Sequence, residues 1–369
     1  MGMLPEDIRV VVEGLVGDLK ARETVSGIGL FGSRSRGDAI PSSDIDLLVV
    51  DKRDFSYEYV ERAEIDGFLL DLDYIPENWI RKMVPPEVDQ KLYEVRVIYE
   101  RNATLTKAKG LMMKIYRTPE RVEIRTSNYL MEADTYLSRG MSAYGKNDFQ
   151  SAKVNAVIGL EEIMKILIEV NKMPLSNRHF ISAIDSSVKR FGAQKLYKDY
   201  VEIAGFSKLD RQTTENMLSS FSALWKGGLE FIEANSSKVK TLHVRIKNDL
   251  NYYGKDSFLK GMLANAEFLI KDGMFAEAAH YMFRTSVSML ENYAWLVSML
   301  ERSRFDYTSL FQYLKGSKAS PPEIYQKAAE AFGIEQVSDR EAEESLRRVK
   351  EVILGIRQKR KELITSLLS

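Results

Sequence analysis

Gly32-Ser33, then ten residues, then Asp44-Ile45-Asp46 is the stretch that most limits what this chain can fold into. Ile28 to Phe31 form a short apolar run that stops at Gly32; Ser42 to Asp44 form a polar turn; Ile45 to Val50 form a second apolar run. Read as strands, the second run puts Asp44 and Asp46 on one face and Ile45 and Leu47 on the other, because strand side chains alternate. Two carboxylates about 7 Å apart on one strand face need a cationic partner, and a divalent cation is the usual one. Gly32 lets backbone approach a phosphate with no Cβ in the way. Ser33 opens a helix or turn whose N–H groups and hydroxyl face a phosphate chain. Arg34 and Arg36 either add positive charge beside it or are solvated loop charges.

A second acidic strand follows. In Phe68-Leu69-Leu70-Asp71-Leu72-Asp73-Tyr74-Ile75, closed by Pro76, the apolar Leu70, Leu72 and Tyr74 share one face, while Asp71 and Asp73 share the other. Paired beside the first strand, this one adds an aspartate to Asp44 and Asp46. Three carboxylates can hold two Mg²⁺ ions roughly 3.5–4 Å apart, an arrangement that clamps the attacking and leaving oxygens of a phosphoryl transfer. An isolated Asp-x-Asp is more often just the polar face of a half-buried strand. Here Gly32-Ser33 at its fixed spacing and the second acidic strand favour chemistry. Asp38 and Asp73 read as surface or supporting groups.

These residues resemble the nucleotidyltransferase superfamily of DNA polymerase β, and more closely its minimal nucleotidyltransferase branch. That branch carries Gly-Ser, about ten residues and Asp-x-Asp, matched here by Gly32, Ser33, Asp44 and Asp46. The wording Gly32-Ser33-Arg34-Ser35-Arg36-Gly37-Asp38 and the ending Ser43-Asp44-Ile45-Asp46 are also typical. The resemblance covers about residues 1–105. It implies that Asp44 and Asp46 bind metal and that a carboxylate on a following strand completes the site. The family's wording before Tyr74-Ile75-Pro76 favours Asp71 over Asp73 for that role, and Val95 to Glu100 fits the next strand.

Composition sets outer bounds. At 369 residues and 42.2 kDa the chain is expected to form two or three domains. It has no cysteine, which removes disulfides, thiolate zinc sites and cysteine nucleophiles and suits a reducing cytoplasm. No apolar run reaches the ~18 residues of a membrane span, and Met1 to Asp7 lack a signal-peptide pattern. With 53 basic and 53 acidic side chains, bulk charge makes no case for non-specific nucleic-acid binding. His179, His243 and His280 are scattered and suggest no histidine metal site.

Residues 1–100 alternate helix and strand, beginning with a helix opened by Pro5-Glu6-Asp7 in which Ile8, Val11, Val12, Leu15, Val16 and Leu19 repeat at helical spacing. From Thr106 onward the periodicity is helical. A weak repeat aligns Phe149 with Phe275 and Ala152 with Ala278 at an offset of 126 residues, which predicts two bundles in tandem. The bundles resemble the HEPN group and the C-terminal domain of kanamycin nucleotidyltransferase. Neither carries the nuclease wording of the HEPN group, since Arg178 and His179 are adjacent and His280 precedes Arg284. In kanamycin-type enzymes the helical domain contacts substrate and sometimes supplies a base; Glu161-Glu162 are the nearest candidates, and a solvated helix face paired with Lys165 is the plainer reading. In the tail, Leu346, Val349, Ile353, Ile356, Leu363 and Leu367 mark an apolar stripe. The side opposite them is basic, fitting a final bundle helix or a contact with RNA or a second copy. Tyr252-Tyr253, Tyr281, Tyr293 and Trp295 read as packing rather than base-stacking platforms.

The expected fold is α+β: a small nucleotidyltransferase mixed sheet with flanking helices (1–105), then two all-α bundles (106–248 and 249–369). The expected function is Mg²⁺-dependent transfer of a nucleoside monophosphate from an NTP, ATP first among them, to a hydroxyl acceptor, with release of pyrophosphate. Asp44, Asp46 and Asp71 hold two metal ions; Gly32, Ser33, Arg34 and Arg36 hold the nucleotide. The acceptor, a small molecule, RNA or protein, is expected between the first domain and the first bundle. The alternatives are protein AMPylation, tRNA modification and non-catalytic nucleotide binding. A cytoplasmic location, no membrane partner and room for a homo-oligomer complete the reading.

Overall fold

The computed structural model describes residues 4–368; Met1 to Met3, the start of the stretch read for a signal peptide, lie outside the described residues, as does the side chain of Leu367. The chain falls into two compact units. One comprises residues 1–118 and 243–264, the other 119–242 and 265–369.

The first unit is built on a five-stranded sheet. Helix α1 (Glu6–Ala21) leads into β1 (Val25–Phe31), the short α2 (Gly32–Arg36) and β2 (Ile45–Asp51). A hairpin of β3 (Tyr59–Ile65) and β4 (Phe68–Pro76) follows, then α3 (Glu77–Arg81), α4 (Asp89–Glu94), β5 (Arg96–Glu100) and α5 (Thr104–Ile115). The strand order is β3-β4-β2-β1-β5. β2 and β4 run parallel with Asp46 beside Asp71, and all other pairs are antiparallel. Alternation divides the sheet into two faces. Ile45, Leu47, Val49, Leu70, Leu72 and Tyr74 pack with the apolar stripe of α1. Leu48, Val50 and Ile75 pack with Ile80, Leu92, Leu105 and Met112 from the helices of the other side. Asp46, Asp71 and Asp73 belong to this second face, toward the start of β2 and β4.

The β3 strand has no counterpart in the sequence expectation. Its turn, Asp66-Gly67, holds two residues at positive φ, 51° and 78°, the pattern of the tight hairpin turns whose twist suits paired strands.

The rest is helical. The long α6 (Pro119–Gly145) and α7 (Phe149–Val170) are followed by α8 (Phe180–Arg190), α9 (Gln194–Ile203), α10 (Arg211–Ala234) and the short α11 (Ser236–Val239). The chain then returns to the sheet unit through α12 (Val244–Tyr253) and the first half of α13 (Asp256–Lys271). It continues as α14 (Phe275–Glu301), α15 (Leu310–Gly316), α16 (Pro322–Phe332) and α17 (Asp339–Leu368). The repeat is visible here. α7 and α14 begin at Phe149 and Phe275, each after a turn with a left-handed residue, Asn147 and Gly273. Each is followed by a single 3₁₀ turn and another helix. The two halves share one unit, however, because α17 packs on α6 and α7, and α10 packs on α14 and α16. The structure therefore groups residues differently from boundaries at 105 and 248: a cut at 248 falls inside α12.

In the tail helix Leu346, Val349, Ile353 and Ile356 are buried as the stripe predicts. Part of its basic side is paired within the unit: Arg348 with Asp199 (2.5 Å) and Glu202 (2.7 Å), and Arg360 with Ser127 Oγ (2.6 Å).

Glu161 and Glu162 do not form a solvated face; both are buried. Arg284 lies 3.3 Å from Glu161 and 3.5 Å from Glu162, Lys165 lies 2.6 Å from Glu162, and His280 Nε2 lies 3.5 Å from Glu161. The His280 ring is itself fully buried, stacked 4.5 Å from Phe180. The cluster is an internal ion network joining α7 to α14.

Candidate active site

β1 ends at Phe31, directly opposite Asp46 on β2, so the Gly32 turn meets the aspartates at one end of the sheet. Gly32 has φ +70°. A Cβ there would stand 2.2 Å from Asp46 Oδ2. The missing side chain is thus what admits the Asp46 carboxylate against the turn. Gly37 also has positive φ, +91°, but its Cβ position has nothing within 4 Å. This pair separates conformational strain from contact. Both Gly32→Ala and Gly37→Ala are expected to cost about 1–3 kcal/mol of stability, from forcing alanine into the left-handed region. Only Gly32→Ala should also weaken nucleotide binding, by tenfold or more. Denaturant melts and calorimetry check this; equal binding losses in both would remove the special role of Gly32.

Asp44 stands just before β2, and Asp46 on it. Asp71 and Asp73 stand on β4, both buried. Burial pushes the Asp46 carboxyl well above the usual range, and the charges of Asp71, Asp73 and Asp44 push it further. Burial likewise raises Asp73, to about 7, against the pull of Lys91. Lys91 Nζ bonds Asp73 at 3.1 Å and pairs with Glu58. Five carboxylates, those of residues 44, 46, 58, 71 and 73, thus share this region with Arg62 and Lys91.

Arg62, absent from the sequence reading, is central. It sits on β3 directly opposite Asp71, with its side chain 3% exposed. Nε donates to Asp71 Oδ1 at 2.7 Å. Nη2 donates to Asp71 Oδ2 at 2.7 Å and to Asp44 Oδ2 at 2.5 Å. Burial alone would lower its pKa, but the bonds and charge of Asp71, with Tyr252 and Asp44, raise it. Tyr252, assigned to packing from sequence, donates its hydroxyl to Asp71 Oδ2 at 3.0 Å.

The arginines of the glycine turn have local partners. Arg34 donates to the carbonyls of Ser43 (2.7 Å) and Asp44 (3.3 Å), bracing the turn that precedes β2. Arg36 pairs with Glu94 (2.7 Å) and Asp38 (3.2 Å). Ser33 stands in the first turn of α2, and its carbonyl accepts from the N–H groups of Gly37 and Asp38.

Oxygen-only donors in acidic excess suit a hard divalent cation. Among the described residues, though, no three acidic or histidine side chains stand close enough to hold an ion as arranged. Two of the three expected ligands, Asp44 and Asp71, are engaged by Arg62.

Residues 12–106 match the family model described as a nucleotidyltransferase domain. No curated protein matches the chain. Among solved structures, a nucleotidyltransferase-like protein from Exiguobacterium sibiricum 255-15 aligns over 87% of each chain at 12% identity, with a TM-score of 0.32. No helix among the described residues is long and apolar enough to cross a membrane.

Proposed function

Starting from a nucleotidyltransferase domain at residues 12–106, we propose that the chain transfers a nucleoside monophosphate from an NTP, ATP first among them, to a hydroxyl acceptor. An acceptor oxygen bonds the α-phosphorus, the bond to the β-phosphate oxygen breaks, and pyrophosphate leaves. The observation that supports this best is the convergence of Gly32 and Asp46 beside Asp71 on one face of the sheet.

Bound Mg²⁺ ions would supply charge neutralisation of the triphosphate and of the leaving pyrophosphate. Asp44, Asp46 and Asp71 are the residues that would hold them, and Asp71 would take the acceptor's proton. Gly32 and Ser33 receive the β- and γ-phosphates. Arg34 contributes by bracing the Ser43-Asp44 turn, and Arg36 through its pairing with Glu94. Catalysis of this kind rests on positioning and charge rather than covalent chemistry.

Asp71→Asn is expected to reduce pyrophosphate release by 10²-fold or more, and Asp73→Asn by less than tenfold, because Asp71 stands directly beside Asp46 across β2 and β4 while Asp73 stands beside Leu48. A larger loss at Asp73 would exchange their roles. Incubation with each α-labelled NTP, Mg²⁺ and a cell extract, followed by separation of small molecules, RNA and protein, identifies the acceptor. The reading fails if pyrophosphate is never released. The bridging of two aspartates by Arg62 favours one second reading, a protein that binds nucleotide without transferring it.

A further inference from the structure

Arg62 has the surroundings of a built site rather than of a surface ion pair. Four of its five N–H donors are used: one to Asp71 Oδ1, two shared between Asp71 Oδ2 and Asp44 Oδ2, and one to the Ser257 carbonyl at 3.5 Å. The guanidinium carbon lies 5.6 Å from the Tyr252 ring centroid and 4.9 Å from that of Phe258, within the range of cation–π attraction. Lys255 donates to the Arg62 carbonyl at 2.5 Å. The backbone of α13 comes so close that a Cβ on Gly261 would stand 3.0 Å from Arg62 Nη1 and 2.6 Å from Leu69. Residues 252–261 therefore enclose the guanidinium, and they reach the aspartates as well, with Tyr252 on Asp71 and the Gly261 Cβ position 3.4 Å from Asp44 Oδ1.

We infer that Arg62 is the resident cation of this face: its guanidinium holds the place a divalent ion must take at Asp44 and Asp71, and the 252–261 segment keeps it there. The guanidinium offsets only part of the carboxylate charge gathered here, so the face still attracts a divalent ion while Arg62 competes for two of its ligands. A carboxylate oxygen that accepts from Nη2 at 2.5–2.7 Å cannot direct the same lone pair at a metal. Ion binding through these same lone pairs thus competes with the guanidinium and is favoured by its displacement. An ion that displaces the guanidinium also breaks the ring contacts and the Ser257 bond, and so loosens 252–261. Arg62 is on this account a positioning residue that makes the site selective for a ligand bringing more positive charge than a guanidinium. Tyr252 assists by fixing Asp71 through its hydroxyl. The inference rests on the transfer reading of the same aspartates.

Mn²⁺ binding to the full-length protein, followed by electron paramagnetic resonance, tests it without any assay of activity. Arg62→Gln, which keeps polarity but not charge, should bind Mn²⁺ at least tenfold more tightly than the wild type. Tyr252→Phe keeps the ring and loses the bond to Asp71, and should tighten binding by a smaller factor. In the wild type, saturating Mn²⁺ should increase hydrogen exchange in residues 252–261, a readout that needs no variant to fold. Equal or weaker Mn²⁺ binding by folded Arg62→Gln, or unchanged exchange in 252–261 while the wild type binds the ion, would overturn the inference and leave the transfer reading standing. No Mn²⁺ bound by either wild type or Arg62→Gln would overturn both.

Discussion

Replacing Asp44 and Asp46 together with asparagine is expected to abolish Mg²⁺-dependent NTP binding, a loss of 10²-fold or more, while leaving the fold in place. Neutral amides keep the volume of the carboxylates but cannot balance a divalent ion or the phosphate charge that comes with it. The fold should survive because the core on both faces of the sheet is made by other residues, Ile45, Leu47 and Leu48 among them, all fully buried. Asp46→Asn alone should even gain stability at neutral pH, whereas Asp44→Asn takes a charge partner from the buried Arg62. The half-buried Asp46 carboxyl is pushed well above its usual range by desolvation and by its acidic neighbours, so keeping it ionised opposes folding, and that penalty grows as pH rises above the unfolded value. Calorimetry with a non-hydrolysable NTP, with and without Mg²⁺, measures the first effect, and denaturant melts measure the second. Undiminished Mg²⁺-dependent binding would sink the role given to these aspartates.

Arg284→Met is expected to give the largest loss of stability in the helical unit, about 3 kcal/mol near pH 7, from orphaning a buried carboxylate. Glu161 is fully enclosed. Burial alone would raise its pKa, but Arg284, His280 at 3.5 Å and the charge of Lys165 hold it below the usual carboxylate range. A depressed carboxylate contributes stability above its unfolded pKa, near 4.5, and loses it as pH falls through the folded value. Without Arg284 the dominant attraction is gone, and ionising Glu161 in the folded state costs stability that increases with pH. The gap between wild type and variant should be widest at pH 7 and shrink toward about pH 4 as Glu161 in the variant is protonated, while the part owed to the wild-type pairing persists until pH falls through its depressed value. Urea midpoints at pH 4, 5.5 and 7 give the comparison. A pH-independent gap would mean that packing of the Arg284 stem, not charge, is what the substitution removes.

Much of the sheet is legible in sequence because its central strands β1, β2 and β4 are covered on both faces, and the edge strand β5 carries a short apolar run. β1, β2, β4 and β5 show as apolar or alternating runs, and the acidic face of β4 is visible as Asp71 and Asp73 flanked by Leu70, Leu72 and Tyr74. β3 is different. It lies at the opposite edge from β5, and Tyr59-Val60-Glu61-Arg62-Ala63-Glu64-Ile65 puts charges on both faces, so no apolar alternation marks it. One local signal does exist: Asp66-Gly67 before Phe68 is a two-residue hairpin turn. Counting back from Ile65 opposite Phe68 places Arg62 opposite Asp71. The partner of the third aspartate was thus within reach of turn chemistry alone.

Tyr252 was not. It lies 181 residues beyond Asp71, in a helix whose pattern says only that it packs on something. The Glu161 network fails for a similar reason. Lys165 one turn along makes the pair look like an ordinary wet helix face, and only the packing of α14, with His280 and Arg284, turns it inward. Residues 243–264 read as part of a helical array because their periodicity is helical; which body they join is decided by Phe258, Tyr252 and Gly261 meeting Arg62 and Leu69.

The central claim is that the Gly32–Asp46 end of the sheet moves the α-phosphoryl group of an NTP. The most direct test gives the wild type and the Asp44→Asn/Asp46→Asn variant the same NTP labelled at the α- or the γ-phosphate, with Mg²⁺ and a cell extract. The account predicts that the α-label alone appears on an acceptor, that the γ-label leaves as pyrophosphate, and that the variant yields neither. Transfer of the γ-label to an acceptor, or α-label transfer that persists in the variant, would contradict it.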